Sequence, residues 1–231
     1  MLVALTIAID GPAGAGKSSA AKGVARTLDV DYIDTGAMYR ALTWWMLEHD
    51  IDIDDHDQIA AHAHDPEIRI AWDPDQPRIV VDEQDVTAAI RESRVSDCVS
   101  RVSAVPAIRS RLVDLQRAMV AQSVRSGRGV VMEGRDIGTV VLPDASVKVF
   151  LTADVEVRAA RRAAEDRVRD PNAHADHIDA ALANLKDRDA IDSTRVTSPL
   201  TMAPDAVQID ATDLTLDEVI AAIASLAAQR R

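Results

Sequence analysis

The chain has 231 residues, 47% of them hydrophobic and 28% charged, a balance that suits a soluble globular protein with one large domain or a core carrying an insertion. Its formal net charge of −12 opposes a polyphosphate backbone, so no nucleic-acid partner is expected. The single cysteine, Cys98, excludes an internal disulfide and any cysteine-based zinc site, and is expected to be a small buried apolar residue.

In chain order, Leu2–Ile9 is a short apolar run ending at Asp10-Gly11-Pro12. It lacks the basic flank and cleavage site of a signal sequence, so it reads as a buried strand entering a turn, and a cytoplasmic location is expected. No apolar run is long enough for a membrane span, so no membrane partner is expected. Ala20, Val24 and Leu28 then share one helical face, Tyr32-Ile33 is a second short strand, and Ala37–Leu47 a second helix. Tyr39 and Met38 on that helix are expected in the core. Asp50–Asp57 is acidic and reads as a loop.

The pattern then changes. Ile68–Trp72 alternates with charges, Asp73-Pro74-Asp75 turns the chain, and Arg78–Val81 returns, predicting a β-hairpin flanked by His56–His64 and Ile90–Val105. From Pro106 a long helix carries Ile108, Leu112, Leu115 and Met119 on one stripe and ends near Gly127. Val130–Met132 and Val147–Leu151 are buried strands. Asp154–Asp170 is a charged helix stopped by Pro171, Asp176–Asp192 is another, and Ala206–Ile209 is a last strand. Thr215 and Glu218 form a capping box before Leu216, Val219, Ile220 and Ile223. Strands alternating with helices predict an α/β fold with a parallel sheet covered on both faces. His62 with His64, and His174 with His177, sit in polar stretches and read as solvated side chains, not metal ligands.

One motif carries the chemistry. Gly11-Pro12-Ala13-Gly14-Ala15-Gly16-Lys17-Ser18 matches G-x-x-x-x-G-K-[ST] between a predicted strand and a predicted amphipathic helix. Its glycines let the backbone turn tightly and aim N–H groups at phosphate oxygens; Lys17 would reach the β- and γ-phosphates and Ser18 would hold Mg²⁺. This pattern marks a nucleoside-triphosphate site and does not separate a kinase from a GTPase or a motor ATPase. The arginines narrow it. Arg158, Arg161 and Arg162 fall on one helical face, and Arg188 and Arg195 form a second cluster with Asp189 and Asp192. Phosphoryl transfer needs such cations around the migrating group. None of the four lysines follows an asparagine, so the guanine-reading N-K-x-D segment of a switch GTPase is missing.

Asp10–Ser19, Asp34-Thr35-Gly36-Ala37-Met38-Tyr39-Arg40, Glu133–Val141 (E-G-R-D-I-G-T-V-V), Pro143-Asp144-Ala145, Arg158–Arg162 and Arg188–Arg195 together resemble the bacterial cytidylate kinases, within the nucleoside-monophosphate kinases. The resemblance spans almost the whole chain. It implies a P-loop kinase fold of three layers around a parallel sheet: residues 1–49 and 106–231 as core, 50–105 as a CMP-binding insertion, and 157–171 as a helical lid. It implies ATP-dependent phosphorylation of CMP and dCMP, with Mg²⁺ as cofactor. Gly11, Pro12, Ala13, Gly14, Ala15, Gly16, Lys17, Ser18 and Ser19 would hold ATP. Arg40, Arg135 and Arg195 would bind the CMP phosphate, with Thr35 in the same site. Ser100, Arg109 and Asp136 would read cytosine, and Arg188 and Asp192 would contact the pentose. Lys17, Arg135, Arg195, Arg158 and Arg162 are the expected catalytic cations; Arg158 or Arg162 would make the lid closure, with no ranking between them. Two points stay open: whether Glu133, Asp136 or water completes the Mg²⁺ shell, and whether Asp34 serves the site or only caps the following helix. A monomer is expected.

Overall fold

Five parallel strands form the central sheet, in the spatial order Asp31–Asp34, Val130–Gly134, Thr6–Asp10, Val147–Thr152 and Val207–Asp210. They are β1 (Thr6–Asp10), β2 (Asp31–Asp34), β6 (Val130–Gly134), β7 (Val147–Thr152) and β8 (Val207–Asp210). The structure is a computed structural model describing residues 4–169 and 177–230. Ile7, Ala8 and Ile9 are fully buried, as expected of a strand covered on both faces. On one face lie α1 (Lys17–Leu28) and α8 (Leu216–Ala228), whose inward residues Ala20, Val24, Val219 and Ile223 pack with Ile7, Val131 and Val149. The capping box of α8 forms as predicted, between Thr215 and Glu218.

The other face carries α2 (Thr35–Glu48) and α5 (Pro106–Arg125). Helix α2 is buried on most of its surface because it is a wedge: Ile33 and Met132 lie on one side, and the 50–105 segment on the other. That segment holds α3 (His56–Ala61), an antiparallel sheet of β3 (Ile68–Ile70), β4 (Ile79–Val81) and β5 (Gln84–Asp85), a 3₁₀ turn at Ala89–Arg91, and α4 (Ser93–Ala104). Its apolar side chains, Ile59, Ile68, Val81, Val86, Ile90 and Val95, do not form a separate core; they share one with Trp44, Trp45, Ile108 and Leu112. The hairpin also reaches the sheet, where the Trp72 carbonyl accepts the Tyr32 N–H of edge strand β2 at 3.0 Å. Edge strand β2 is thereby partly covered.

Helices α6 (Val155–Arg169) and α7 (His177–Thr194) pack on each other and on the P-loop through Ala13, Ala159 and Leu185. Leu2 and Val3 of the predicted first strand, and Asp170, Pro171 and His174, lie outside the described residues; the strand itself begins at Thr6.

Several local expectations are corrected. The acidic loop already contains the start of α3, because the Asp55 carboxylate accepts from the N–H groups of Asp57 and Gln58. Tyr39 does not sit only in the core: it also faces the cleft described below. Cys98 is half-buried, its Sγ 3.6 Å from Arg101 Nη2. The residues after Asp136 form a π-helical turn, Ile137–Val141, for which periodicity offers no signal. Among the described residues no helix is long and apolar enough to cross a membrane.

Candidate active site

The site starts where β1 ends. Gly11 takes a φ of +148°, and a Cβ there would lie 1.9 Å from the Leu151 carbonyl oxygen, so this position excludes every other residue. The loop then enters α1 at Gly16, a left-handed N-cap with no side chain capping the helix. The N–H groups of the first turn therefore point outward with the positive end of the helix dipole behind them. Lys17 is buried, and its Nζ donates across the loop to the Pro12 carbonyl at 2.7 Å. Burial, and then the charge of Arg135, push the ammonium down to about 7; Glu133 and Asp10 oppose this.

A cleft of ≈ 300 Å³ runs from this loop to residues of α2, α4, α5 and α7. Ala13, Gly14, Gly16, Lys17, Ser18 and Ser19 line one end. Every residue expected at the acceptor side lines the same cleft: Thr35, Arg40, Ser100, Arg109, Arg135, Asp136, Arg188, Asp192 and Arg195. They arrive from separate elements: α2 brings Thr35 and Arg40, α4 Ser100, α5 Arg109, the turn after β6 Arg135 and Asp136, α7 Arg188 and Asp192, and the segment just past α7 Arg195. Of the loop residues, Gly11, Pro12 and Ala15 lie behind the lining as its buried support.

The guanidinium groups crowd one another. Burial, then Arg40 and Arg135, push Arg188 down to about 9; burial also lowers Arg40, and burial followed by Arg109 lowers Arg195. Asp192 is the local counter-charge. Its Oδ2 accepts from Arg135 Nε at 2.8 Å, and its Oδ1 lies 3.5 Å from Arg195 Nη1. Burial opposes ionisation of Asp192, yet Arg135, with Arg195 and Arg188 adding to it, holds the carboxyl below its ordinary range. Three buried guanidinium nitrogens, Arg109 Nε, Arg188 Nε and Arg195 Nη2, have no partner among the described residues. Such groups are costly to leave unpaired, and an anion with several oxygens satisfies them.

Deeper in, Arg109 and Asp136 form an ion pair whose side chains are 3% and 5% exposed. Arg109 is further held by the Ser103 carbonyl at 3.3 Å and lies 5.4 Å over the Tyr39 ring. At the phosphate-loop end, Thr35 donates to the Glu133 carbonyl at 2.7 Å, and Tyr32 donates to Glu133 Oε1 at 2.8 Å. Burial and then Asp34 push the Glu133 carboxyl up, while Lys17 and the Ser18 hydroxyl pull it down. Asp34 caps Ala37 N–H at 2.9 Å and also lines the cleft.

The two lid arginines separate. Arg162 lines the cleft. Arg158 is buried away from it, donating to the carbonyls of Ala153 and Ala13 at 2.9 Å each and to Asp189 at 2.7 Å. Arg158 thus braces the P-loop against α7, a tie its helical spacing with Arg162 did not reveal. Sequence reasoning also missed Arg91, Ser103 and Lys22 in the lining. Arg91 belongs to no motif; its one signal is a charge between the buried Ile90 and Val95.

The chain is similar to known proteins over almost its whole length. The family model described as Cytidylate kinase matches residues 7–229. A cytidylate kinase of Streptomyces avermitilis is 51% identical over 228 residues, covering 99% of this chain and 94% of its own. Those of Mycobacterium avium and Lactiplantibacillus plantarum are 47% and 43% identical, covering 98% and 99% of this chain and 96% of each relative. With the P-loop, the arginine cluster and the buried Arg109–Asp136 pair in one cleft, the chain belongs to the cytidylate kinase family.

Proposed function

We propose that this protein transfers the terminal phosphoryl group of ATP to CMP and dCMP, giving CDP and dCDP, with Mg²⁺ accompanying the triphosphate. The observation that carries the reading is one cleft with a phosphate-binding loop at one end and guanidinium groups with unpartnered buried N–H groups at the other. Two anions can be held there facing each other. The names of the relatives support CMP as the acceptor.

The chemistry asks for positioning and charge neutralisation more than for a base. A phosphate monoester has a second pKa of about 6, so the acceptor is already a dianionic nucleophile near neutral pH. Lys17 stabilises the transferring group, and Arg40, Arg135 and Arg195 offset repulsion between donor and acceptor. Arg162 closes the cleft from α6 and helps exclude water. The oxygen donors near Ser18 suit a hard cation: the Ser18 hydroxyl reaches the Glu133 carboxylate, and Asp34 pairs in register with Glu133. Mg²⁺ would be held by Ser18, with Glu133 and Asp34 in support, and would supply neutralisation of the β- and γ-phosphate oxygens.

Cytosine offers an amino donor where uracil offers a carbonyl. A carboxylate accepts from the amino group, and arginine serves the ring acceptors. Asp136 and Arg109 are buried and mutually aligned for this role. Uracil would set a second acceptor against Asp136, which discriminates by orders of magnitude. The residues 50–105 supply Ser100 and Arg91 to the acceptor side, consistent with a CMP-binding role for that segment. The test is a coupled assay of purified protein with ATP and Mg²⁺ against CMP, dCMP, UMP, dTMP and shikimate. CDP formation at a kcat/KM well above that for UMP is expected; no CDP from CMP overturns the reading.

A further inference from the structure

The turn Ile137–Val141 follows Asp136 directly, and an aspartate at that position ordinarily caps the N–H groups ahead of it. Here it does not. Asp136 occupies the N-cap position without making a side-chain cap bond, because its carboxylate is turned to Arg109 in the cleft. The turn's first N–H groups are bonded instead by Asp10: Oδ1 accepts from Ile137 N at 2.8 Å and Oδ2 from Gly138 N at 2.7 Å. Asp10 is 127 residues from Ile137 in sequence, is buried, and is the last residue of β1 before the P-loop. Gly138 leaves it room, since a Cβ there would lie 3.3 Å from Asp10 Oδ2.

We propose that Asp10 is a specificity-positioning residue: it caps the 137–141 turn from a distant strand, so that Asp136 is left to face the cleft and read the acceptor base. This rests on the reading of Asp136 and Arg109 as the cytosine contact. The same anchor serves both substrates, because Asp10 is followed at once by Gly11, whose backbone is wedged against Leu151. Holding a second carboxylate beside Asp136 runs against charge. Burial, and to a lesser degree Asp136 itself, push Asp10 up to about 6, against the two N–H bonds and Lys17. A merely structural cap would be served as well by Asp136, which is already in place at the N-cap position. With Asp10 removed, two unpaired N–H groups stand ahead of Asp136 and compete with Arg109 for its carboxylate.

The experiment compares kcat/KM for CMP and for UMP in wild type, Asp10→Asn and Gly138→Ala, with thermal unfolding followed alongside. Asparagine keeps one acceptor but faces the second N–H with a donor. The CMP:UMP ratio should fall about tenfold or more in Asp10→Asn, chiefly through KM for CMP. Gly138→Ala keeps Asp10 but crowds its Oδ2 together with the Lys148 side chain, which a Cβ would meet at 3.2 Å, and should lower the ratio by a smaller factor in a folded protein. Equal losses for CMP and UMP in Asp10→Asn would make Asp10 a structural cap and overturn the proposal. If Asp10→Asn does not fold, a wild-type ratio in Gly138→Ala overturns it. Wild-type enzyme with no preference for CMP would instead sink the assignment of Asp136 as base reader, a separate failure.

Discussion

The two ends of the cleft are made of different material. The loop end is one unbroken stretch of backbone, Gly11–Ser18, with Lys17 as its buried cation. The acceptor end is a set of side chains from α2, the 89–91 turn, α4, α5, the turn after β6, and α7 with the residue just past it, Arg195. A backbone cradle presents N–H groups that no single side-chain change removes. A guanidinium cluster can be dismantled one group at a time, and burial first, with neighbouring arginines adding to it, lowers Arg40, Arg188 and Arg195. Mutations at the two ends should therefore separate cleanly in their kinetic signatures.

Lys17→Met should produce the largest change. It removes the one charged donor of the loop, and kcat should fall about 10³-fold, with KM for CMP unchanged in steady-state assays of CDP formation. A parallel rise in KM for CMP would mean that the ends are not independent. Arg188→Met attacks the other end: kcat/KM for CMP should fall about 10²-fold while KM for ATP holds. Arg188→Lys should recover only part of this, because an ammonium does not reproduce the fork of a guanidinium.

The same contrast explains what could be read in advance. The loop is contiguous, so the glycine spacing of Gly11–Ser18 announces both its shape and its chemistry. The acceptor end is scattered from Thr35 to Arg195, and no periodicity joins Arg40 to Arg109 or Ser100 to Asp136; only resemblance to a family assembled that list. Where resemblance was silent, the reading failed in characteristic ways. Arg158 and Arg162 are indistinguishable by helical spacing, yet one braces Ala13 and the other lines the cleft, because their directions depend on how α6 lies against α7. The π-helical turn at Ile137–Val141 is capped by Asp10, a bond across 127 residues that no local pattern encodes. The strands and long helices were legible because burial on the sheet faces imposes regular apolar patterns.

Asp136→Ala tests the deeper half of the acceptor end. Selectivity for CMP over UMP should fall at least about tenfold, and folding should weaken as well. Removing one partner of a buried pair strands the other, at a cost of about 3–5 kcal/mol, so Tm should drop while Lys17→Met leaves it nearly unmoved. Unchanged selectivity in a folded Asp136→Ala protein would remove this carboxylate from base reading.

A pH series sharpens the loop end. In the free protein burial, and then the charge of Arg135, push the Lys17 ammonium down to about 7. Bound phosphates favour the charged form, so binding ATP above that pH requires proton uptake. The dissociation constant for ATP should rise with pH above about 7, approaching tenfold per unit. Lys17→Met should flatten the profile between pH 7 and 9. A wild-type profile as flat as the variant's would assign the lowered ammonium no part in nucleotide binding.

The smallest effect is expected far from both ends, where the hairpin of the 50–105 segment meets the core. Two ties hold its tip there: the Trp72 carbonyl on Tyr32 N–H, and an ion pair of Arg26 with Asp75 at 2.6 Å. The ion pair is short, but its side chains are 52% and 64% exposed. Water and salt screen such a pair, and ordering two flexible side chains offsets most of the attraction. Arg26→Ala should therefore cost less than about 1 kcal/mol, an effect that shrinks further in high salt, with kcat/KM for CMP unaltered. The backbone bond at Trp72 and the shared core around Trp44 and Trp45 do the holding instead. A larger loss in chemical denaturation, or a rise in KM for CMP, would mean that this surface pair sets the position of the segment that brings Ser100 and Arg91 to the acceptor.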